Sequence, residues 1–378
     1  MSYKLYSVFS VVVFLLLMSC KQEPATFKPG EIWPDNNGIH INAHGGGMLF
    51  YDGRYYWFGE HKTEGRAGNK ANVGVHCYSS DDLYHWKDEG ICFRVSEDTT
   101  SLIVKGCIIE RPKVIYNGKT GKFVMWFHHE LKGKGYSTAL TGLAVADNIT
   151  GPYHYVKSLR PNAGQWPENF SDDQRSATVT ADQLEKGTTE WKEAVREGLF
   201  VRRDFEGGQM SRDMTLFVDD DGRAYHIHAS EDNQTLHISE LSDDYQGFTR
   251  RYIRALPGES NEAPAIFKYK EKYYMITSDC TGWKPNAARL SVADSVMGKW
   301  TFIGNPATGD DCDITFHSQS TYILPVHGYK DAFIFMADRW DPDNAINGRY
   351  VWLPVLFNKK GQPWLKWMDE WDLSIFKN

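Results

Sequence analysis

The chain has 378 residues, 41% of them hydrophobic and 14% aromatic, and a formal charge of −7. That length suits one large globular domain or two modest ones, and the acidic balance argues against a nucleic-acid or anionic-membrane partner while suiting a neutral substrate. The 13 Trp, 20 Tyr and 20 Phe are many for a plain scaffold; most would fill a β-rich core, and a few are available as flat platforms for sugar rings.

Residues 1–19 carry one lysine and then an apolar run of roughly a dozen residues, shorter than the about 20 needed to span a bilayer. The run ends in Leu17-Met18-Ser19-Cys20, which resembles the lipobox of bacterial lipoproteins. That resemblance implies cleavage before Cys20 and acylation of its thiol. The protein would then be a monomer anchored to the outer membrane, periplasmic or at the cell surface, with the lipid at Cys20 as its one membrane contact. An ordinary secretory signal is the alternative. Residues 20–29 would be a linker and 30–378 the folded domain. Loss of Lys4 with the signal gives a mature charge of 41 − 49 = −8. Five cysteines follow Cys20, so at least one stays unpaired within the chain, and their spacing matches no zinc motif.

Beyond the linker, pairs of apolar runs flank turn residues. GMLFYDGRYYWFGE (47–60) turns at Asp52-Gly53, a strong hairpin signal. RPKVIYNGKTGKFVMWFHHE (111–130) turns at Asn117-Gly118, and MTLFVDDDGRAYHIHASED (214–232) at Asp221-Gly222. APAIFKYKEKYYMITSDC (263–280) turns near Lys270-Glu271, and STYILPVHGYKDAFIFMADRW (320–340) at His327-Gly328. A further strand-like unit follows each hairpin, so each repeat holds about four strands, the content of one propeller blade. The expected fold is all-β, a five-bladed β-propeller. Turn positions 52, 117, 221, 270 and 327 are 65, 104, 49 and 57 residues apart, and the long interval holds the polar stretch 160–205. This is expected to be an insertion between the second and third blades, with one helix near Thr189 to Glu197.

Counting back eight residues from the turns reaches His44, Asp213, Glu262 and Gln319; counting back seven from Asn117 reaches Glu110. Each unit therefore opens with a polar side chain. In a propeller the starts of the inner strands meet on one face, so these five groups should converge on one pocket. Facing carboxyls at such a mouth suit glycoside hydrolysis, which needs one protonated acid for the leaving oxygen and a second group acting at the anomeric carbon or on water. A like charge nearby helps keep the acid protonated. No Asp-rich loop of calcium spacing surrounds the three acids, so neither metal nor cofactor is demanded.

At this point HINAHGGG (40–47), YYWFGEHK (55–62), ERPKVIYN (110–117), SRDMTLFVDDDG (211–222), EAPAIFK (262–268), TGW (281–283) and SQSTYILP (318–325) can be set together. They resemble glycoside hydrolase family 43, and within it the exo-β-1,3-galactanases, over roughly residues 28–370. The resemblance implies an inverting enzyme that removes galactose from β-1,3-galactan or arabinogalactan. It gives Glu262 as general acid, Asp213 as the residue that orients it and raises its pKa, Glu110 as a substrate-gripping acid and Gln319 as the water-positioning amide. Most of the family carries an aspartate base in the first blade. Here Asn42-Ala43-His44 stands there, which leaves the base open between a Gln319 relay and His44. The resemblance also places Glu60, Trp126, Asn233 and Thr281 at the terminal sugar, with Trp283 as a platform and His44 lining the pocket. A structural calcium ion in the axial channel is compatible with it. Alternatives on the same scaffold are an α-L-arabinofuranosidase, a β-xylosidase, or a carbohydrate-binding lipoprotein without catalysis.

Overall fold

The computed structural model describes residues 25–70 and 73–377; the signal segment and Cys20 lie outside them. The first sheet runs β1 (His44–Tyr51), β2 (Arg54–Glu60), β3 (Gly74–Ser80) and β4 (Lys87–Arg94) in simple order. The second holds β5 (Ile108–Asn117), β6 (Lys122–Glu130), β7 (Leu140–Ala146) and β8 (His154–Leu159). The third holds β9 (Met214–Val218), β10 (Ala224–Ser230), β11 (Thr235–Leu241) and β12 (Phe248–Ala255). The fourth holds β13 (Glu262–Tyr269), β14 (Lys272–Ser278), β15 (Arg289–Ala293) and β16 (Thr301–Gly304). After the short β17 (Ala307–Thr308) come β18 (Gln319–Pro325), β19 (Phe333–Arg339) and β20 (Arg349–Pro354), a sheet of three. Finally β21 (Leu356–Phe357) and β22 (Pro363–Lys366) join β17 in another sheet of three.

Each hairpin forms at the turn read from the sequence. At the first, Tyr51 pairs with Arg54, and Asp52 and Gly53 both have positive φ (49° and 79°), the twist that two-residue hairpin loops need. The architecture is an all-β propeller, because β1, β5, β9, β13 and β18 contact one another in sequence and β18 returns to β1. The count of five is corrected, however: six sheets are present among the described residues. The sixth was invisible to a count of hairpins. It forms when β22 pairs in parallel with β17, Ala307 opposite Leu365, across the whole fifth hairpin. Its strands are two to four residues long, too short to carry a periodic signal.

The 160–205 stretch also differs from a polar excursion. It folds as α1 (Asp172–Ser176), α2 (Thr189–Arg196) and α3 (Leu199–Arg203), with Ser171 and Thr188 accepting N-cap hydrogen bonds. Trp191, Val195, Leu199 and Phe200 form its own small core. Arg254 of β12 donates to the carbonyls of Val195 and Arg196 at 2.7 Å, satisfying the end of α2 and binding it to the third sheet.

Part of the expected linker belongs to the fold. Phe27 is 2% exposed and forms an antiparallel bridge with Trp371, with N–H to carbonyl distances of 2.8 and 3.1 Å in the two directions. Its ring stacks on Trp371 (4.4 Å) in a cluster with Trp33, Trp57, Trp86 and Trp352, so the two ends of the chain are clasped where the first and last hairpins meet. Phe27→Ala is expected to cost about 3–5 kcal/mol of stability through the cavity it leaves, read as a lower midpoint in chemical denaturation.

Candidate functional site

Four of the five inner strands bend close behind their leading side chain, and β9 pairs with β10 without a break. Register shifts fall between His44 and Gly47, Glu110 and Lys113, Glu262 and Ala265, and Ser320 and Tyr322. Behind three leading residues the backbone turns left-handed, with φ of 59° at Gly45, 54° at Arg111 and 53° at Ala263. For the two residues with a Cβ this costs about 1–2 kcal/mol each. Such bulges re-aim a side chain, and here they aim Glu110, Glu262 and Gln319 into one well. Gly45 has a second reason to be glycine: a Cβ there would sit 2.2 Å from Glu60 Oε1.

The well is a cavity of about 380 Å³ whose lining includes Glu60, Glu110, Asp213, Asn233, Glu262, Trp283 and Gln319. Glu262 accepts a hydrogen bond from Asn233 Nδ2 at 2.6 Å. Burial, and then the negative charge of Asp213, push its carboxyl up to about 7. Asp213, just ahead of β9, accepts the backbone N–H of Ala263 at 3.2 Å, which ties it to the strand that carries Glu262. Asp213 also pairs with Arg111 Nη2 at 3.0 Å.

Glu110 is held in the opposite state. Burial alone would raise it, but His128, Lys62 and the Tyr136 hydroxyl outweigh burial and keep it at about 2. Tyr136 donates to Oε1 at 2.7 Å, and His128 Nδ1 lies 3.0 Å from Oε2. Burial disfavours the His128 cation, yet Glu110 on one side and Glu130 at 3.0 Å on the other raise it to about 9. Glu60 accepts the Arg111 backbone N–H at 2.9 Å and pairs with Lys62.

The Gln319 amide is fixed in one orientation. Its oxygen accepts from Arg111 Nη2 at 2.5 Å and Trp340 Nε1 at 3.3 Å, while its nitrogen donates to Ser278 Oγ at 2.9 Å. Two donors on one atom identify it as the oxygen. The amide thus has one N–H left to offer.

Glu110, His128 and Asp213 each place a ligand atom within 4.8 Å of the others. The set does not fit a divalent cation. The imidazole has a carboxylate at each nitrogen, and the Arg111 guanidinium already neutralises Asp213.

Three residues named from the sequence do not reach the lining. Trp126 is fully buried between the second and third sheets, its indole N–H donating to the Tyr245 carbonyl at 2.9 Å. His44 is 0% exposed, stacked on Tyr350 (5.3 Å) and 3.7 Å from Asp338 Oδ2, beneath the well. Thr281 is exposed, but its hydroxyl donates to the Lys284 carbonyl at 2.5 Å within the turn that presents Trp283. Counting back from the turns overlooked Arg111, Lys62, His128, Tyr136 and Trp340, all of which line the well. Arg111 directly follows Glu110, and His128 begins the titratable run His128-His129-Glu130; both signals were present but fall off the counted positions.

The model for glycosyl hydrolases family 43 matches residues 165–310, which include Asp213 and Glu262. Among solved structures, a GH43 β-1,3-galactosidase with galactodeoxynojirimycin is similar at 55% identity and a TM-score of 0.88, covering 92% of this chain and 100% of that one. The exo-β-1,3-galactanase of Phanerochaete chrysosporium with β-1,3-galactotriose is similar at 30% identity and a TM-score of 0.73, over 92% of this chain and 68% of that one. An exo-β-1,3-galactanase from Clostridium thermocellum gives 32% identity and a TM-score of 0.73, over 92% and 66%. No curated protein matches. Since Trp126 packs in the core, Trp126→Ala should lower stability by about 3–5 kcal/mol, read as a lower midpoint in chemical denaturation.

Proposed function

The chain belongs to glycosyl hydrolases family 43, and from that premise we propose that it is an exo-acting, inverting glycosidase removing galactose from β-1,3-linked galactan. The observation that carries the reading is the pairing of Glu262, pushed up to about 7, with Asp213 anchored to the next backbone amide. A carboxyl with that value is still protonated in about half of the molecules at pH 7 and can give that proton to the departing glycosidic oxygen. Arg111 neutralises Asp213 enough to keep it seated, and the remaining Asp213 field still favours the protonated Glu262.

The other side of the reaction falls to Gln319. Its oxygen is occupied by Arg111 and Trp340, so it addresses a water through its remaining N–H and orients that water, whose proton passes to solvent water as its oxygen bonds the anomeric carbon. Glu110 and Glu60, both facing the well, accept hydroxyls of the terminal galactose. Trp283, 49% exposed at the rim, offers a stacking face. A single well ringed by residues at the starts of the inner strands suits release of one sugar at a time from a chain end.

At the N-terminus we retain lipid anchoring at Cys20 on the sequence Leu17-Met18-Ser19-Cys20 alone, with the monomer in the outer membrane. Mass spectrometry of the mature N-terminal peptide should find a diacylglyceryl cysteine; an unmodified peptide beginning elsewhere would remove the anchor.

Incubation with β-1,3-galactobiose should release galactose as the α-anomer first, seen by proton NMR. Glu262→Gln should lower kcat by at least roughly 100-fold. Because the acid is active when protonated, kcat/KM should be full below about pH 6 and fall through about 7 as Glu262 ionises. Asp213→Asn removes a charge that raises Glu262, so this limb should move to lower pH. A limb that stays in place would refute the coupling.

A further inference from the structure

A second cavity, of about 310 Å³, adjoins the well and shares Gly282, Trp283, Gln319 and Trp340 with it. Trp283 and Trp340 meet edge to face at 6.0 Å, forming a wall with one space on either side. The two spaces differ in charge. The well combines carboxylates with basic groups, whereas the second cavity is lined by Lys284, His317 and Arg339 and by no carboxylate. In a chain of net charge −7, such a one-signed lining is a local inversion of the surface.

The cations there are not used up by the fold. Neither Lys284 nor Arg339 forms an ion pair with any described carboxylate, while His317 pairs with Asp311 at 3.1 Å. Asp311 lines a neighbouring groove, which His317 and Arg339 also line, but not this cavity, so Lys284 is the cation that faces this cavity alone. Arg339 is half-buried and over the Trp367 ring at 5.6 Å, with Nη2 donating to the Phe316 carbonyl at 2.8 Å. Its Nε is buried without a partner. A buried, unmatched guanidinium donor is costly unless something completes it. Asn286 and Ser318 also line the cavity, and hydroxyl and amide groups of that kind suit a saccharide.

We propose that this cavity is a subsite for an anionic saccharide unit, a uronate or a sulfate-bearing sugar, carried on the same oligosaccharide whose terminal galactose occupies the well. The proposal rests on the glycosidase reading for the neighbouring sugar, but its own content is the acidic group. Lys284 and Arg339 supply the charge, Trp283 supplies a face to the ring on each side, and screening by salt weakens the contact.

The test measures binding by calorimetry at low salt in the Glu262→Gln background, so that the ligand is not consumed. Its ligands are a β-1,3-galactotriose bearing a glucuronosyl branch, its carboxyl-reduced counterpart, and a sulfated galactotriose. Galactose release from plain β-1,3-galactobiose is followed in parallel with Glu262 intact. The protein should bind at least one acidic ligand roughly three- to ten-fold more tightly than the neutral one, with the advantage lost at high salt. Whichever acid is preferred identifies the group. Lys284→Ala should reduce that advantage and Lys284→Glu abolish it, with galactobiose turnover unchanged in both. Equal affinity for acidic and neutral ligands, or a preference untouched by Lys284→Glu, would overturn the subsite. If galactobiose is not cleaved while the acidic preference persists, the hydrolase reading fails and the subsite stands.

Discussion

One guanidinium holds the site together. Arg111 reaches Asp213 and Gln319 with its side chain and Glu60 with its backbone N–H, and a further bond from Nη1 to the Ser320 carbonyl (2.7 Å) fixes its plane. These partners come from the first, third and fifth hairpins, while Arg111 itself is on the second. A planar fork with several fixed donors can serve them all, which a lysine at that place could not do. The left-handed backbone at Arg111 is part of the same arrangement: the bulge directs Glu110 into the well and Arg111 across it.

Around that fork the structure separates two carboxyls of the same kind. Glu262 has few donors and a neighbouring Asp213, so burial dominates and it holds its proton. Glu110 has His128, Tyr136 and Lys62, and burial loses. Their difference, about 7 against about 2, comes entirely from neighbours, and it divides proton donation from hydroxyl binding. The His128 cation in turn depends on Glu130, which accepts the backbone N–H of Thr138 at 2.8 Å and of Ala139 at 2.9 Å. A loop of the second sheet therefore sets the charge of a group in the central well.

Both the successes and the misses of sequence reading have local explanations. Asp52-Gly53 specifies its hairpin because few other residues take positive φ at both central positions, and that preference needs no distant contact. The leading residues Glu110, Asp213, Glu262 and Gln319 were legible because nearly equal distances from the hairpin turns, eight residues for three of them and seven for Glu110, put them at equivalent places in each repeat. Trp126 and His44 were misplaced because alternation along a strand does not say which face meets a neighbouring sheet and which meets solvent. Trp126 falls between two sheets, and His44 is capped by Tyr350 from the far end of the chain. The helical stretch looked polar because its buried apolar residues, among them Phe170, Trp191, Val195, Leu199, Phe200 and Val201, are diluted by charged neighbours.

The sequence by itself determined the all-β repeat, the turn positions and the polar residue that opens each unit, since turn chemistry and period-two patterning act over a few neighbouring residues. Tertiary structure alone decided the number of sheets, the clasp of Phe27 on Trp371, the reach of Arg111 and the opposite protonation of Glu110 and Glu262. Each of these depends on which distant segments come within a few ångströms and how far water is excluded between them, and neither quantity is written in local order along the chain.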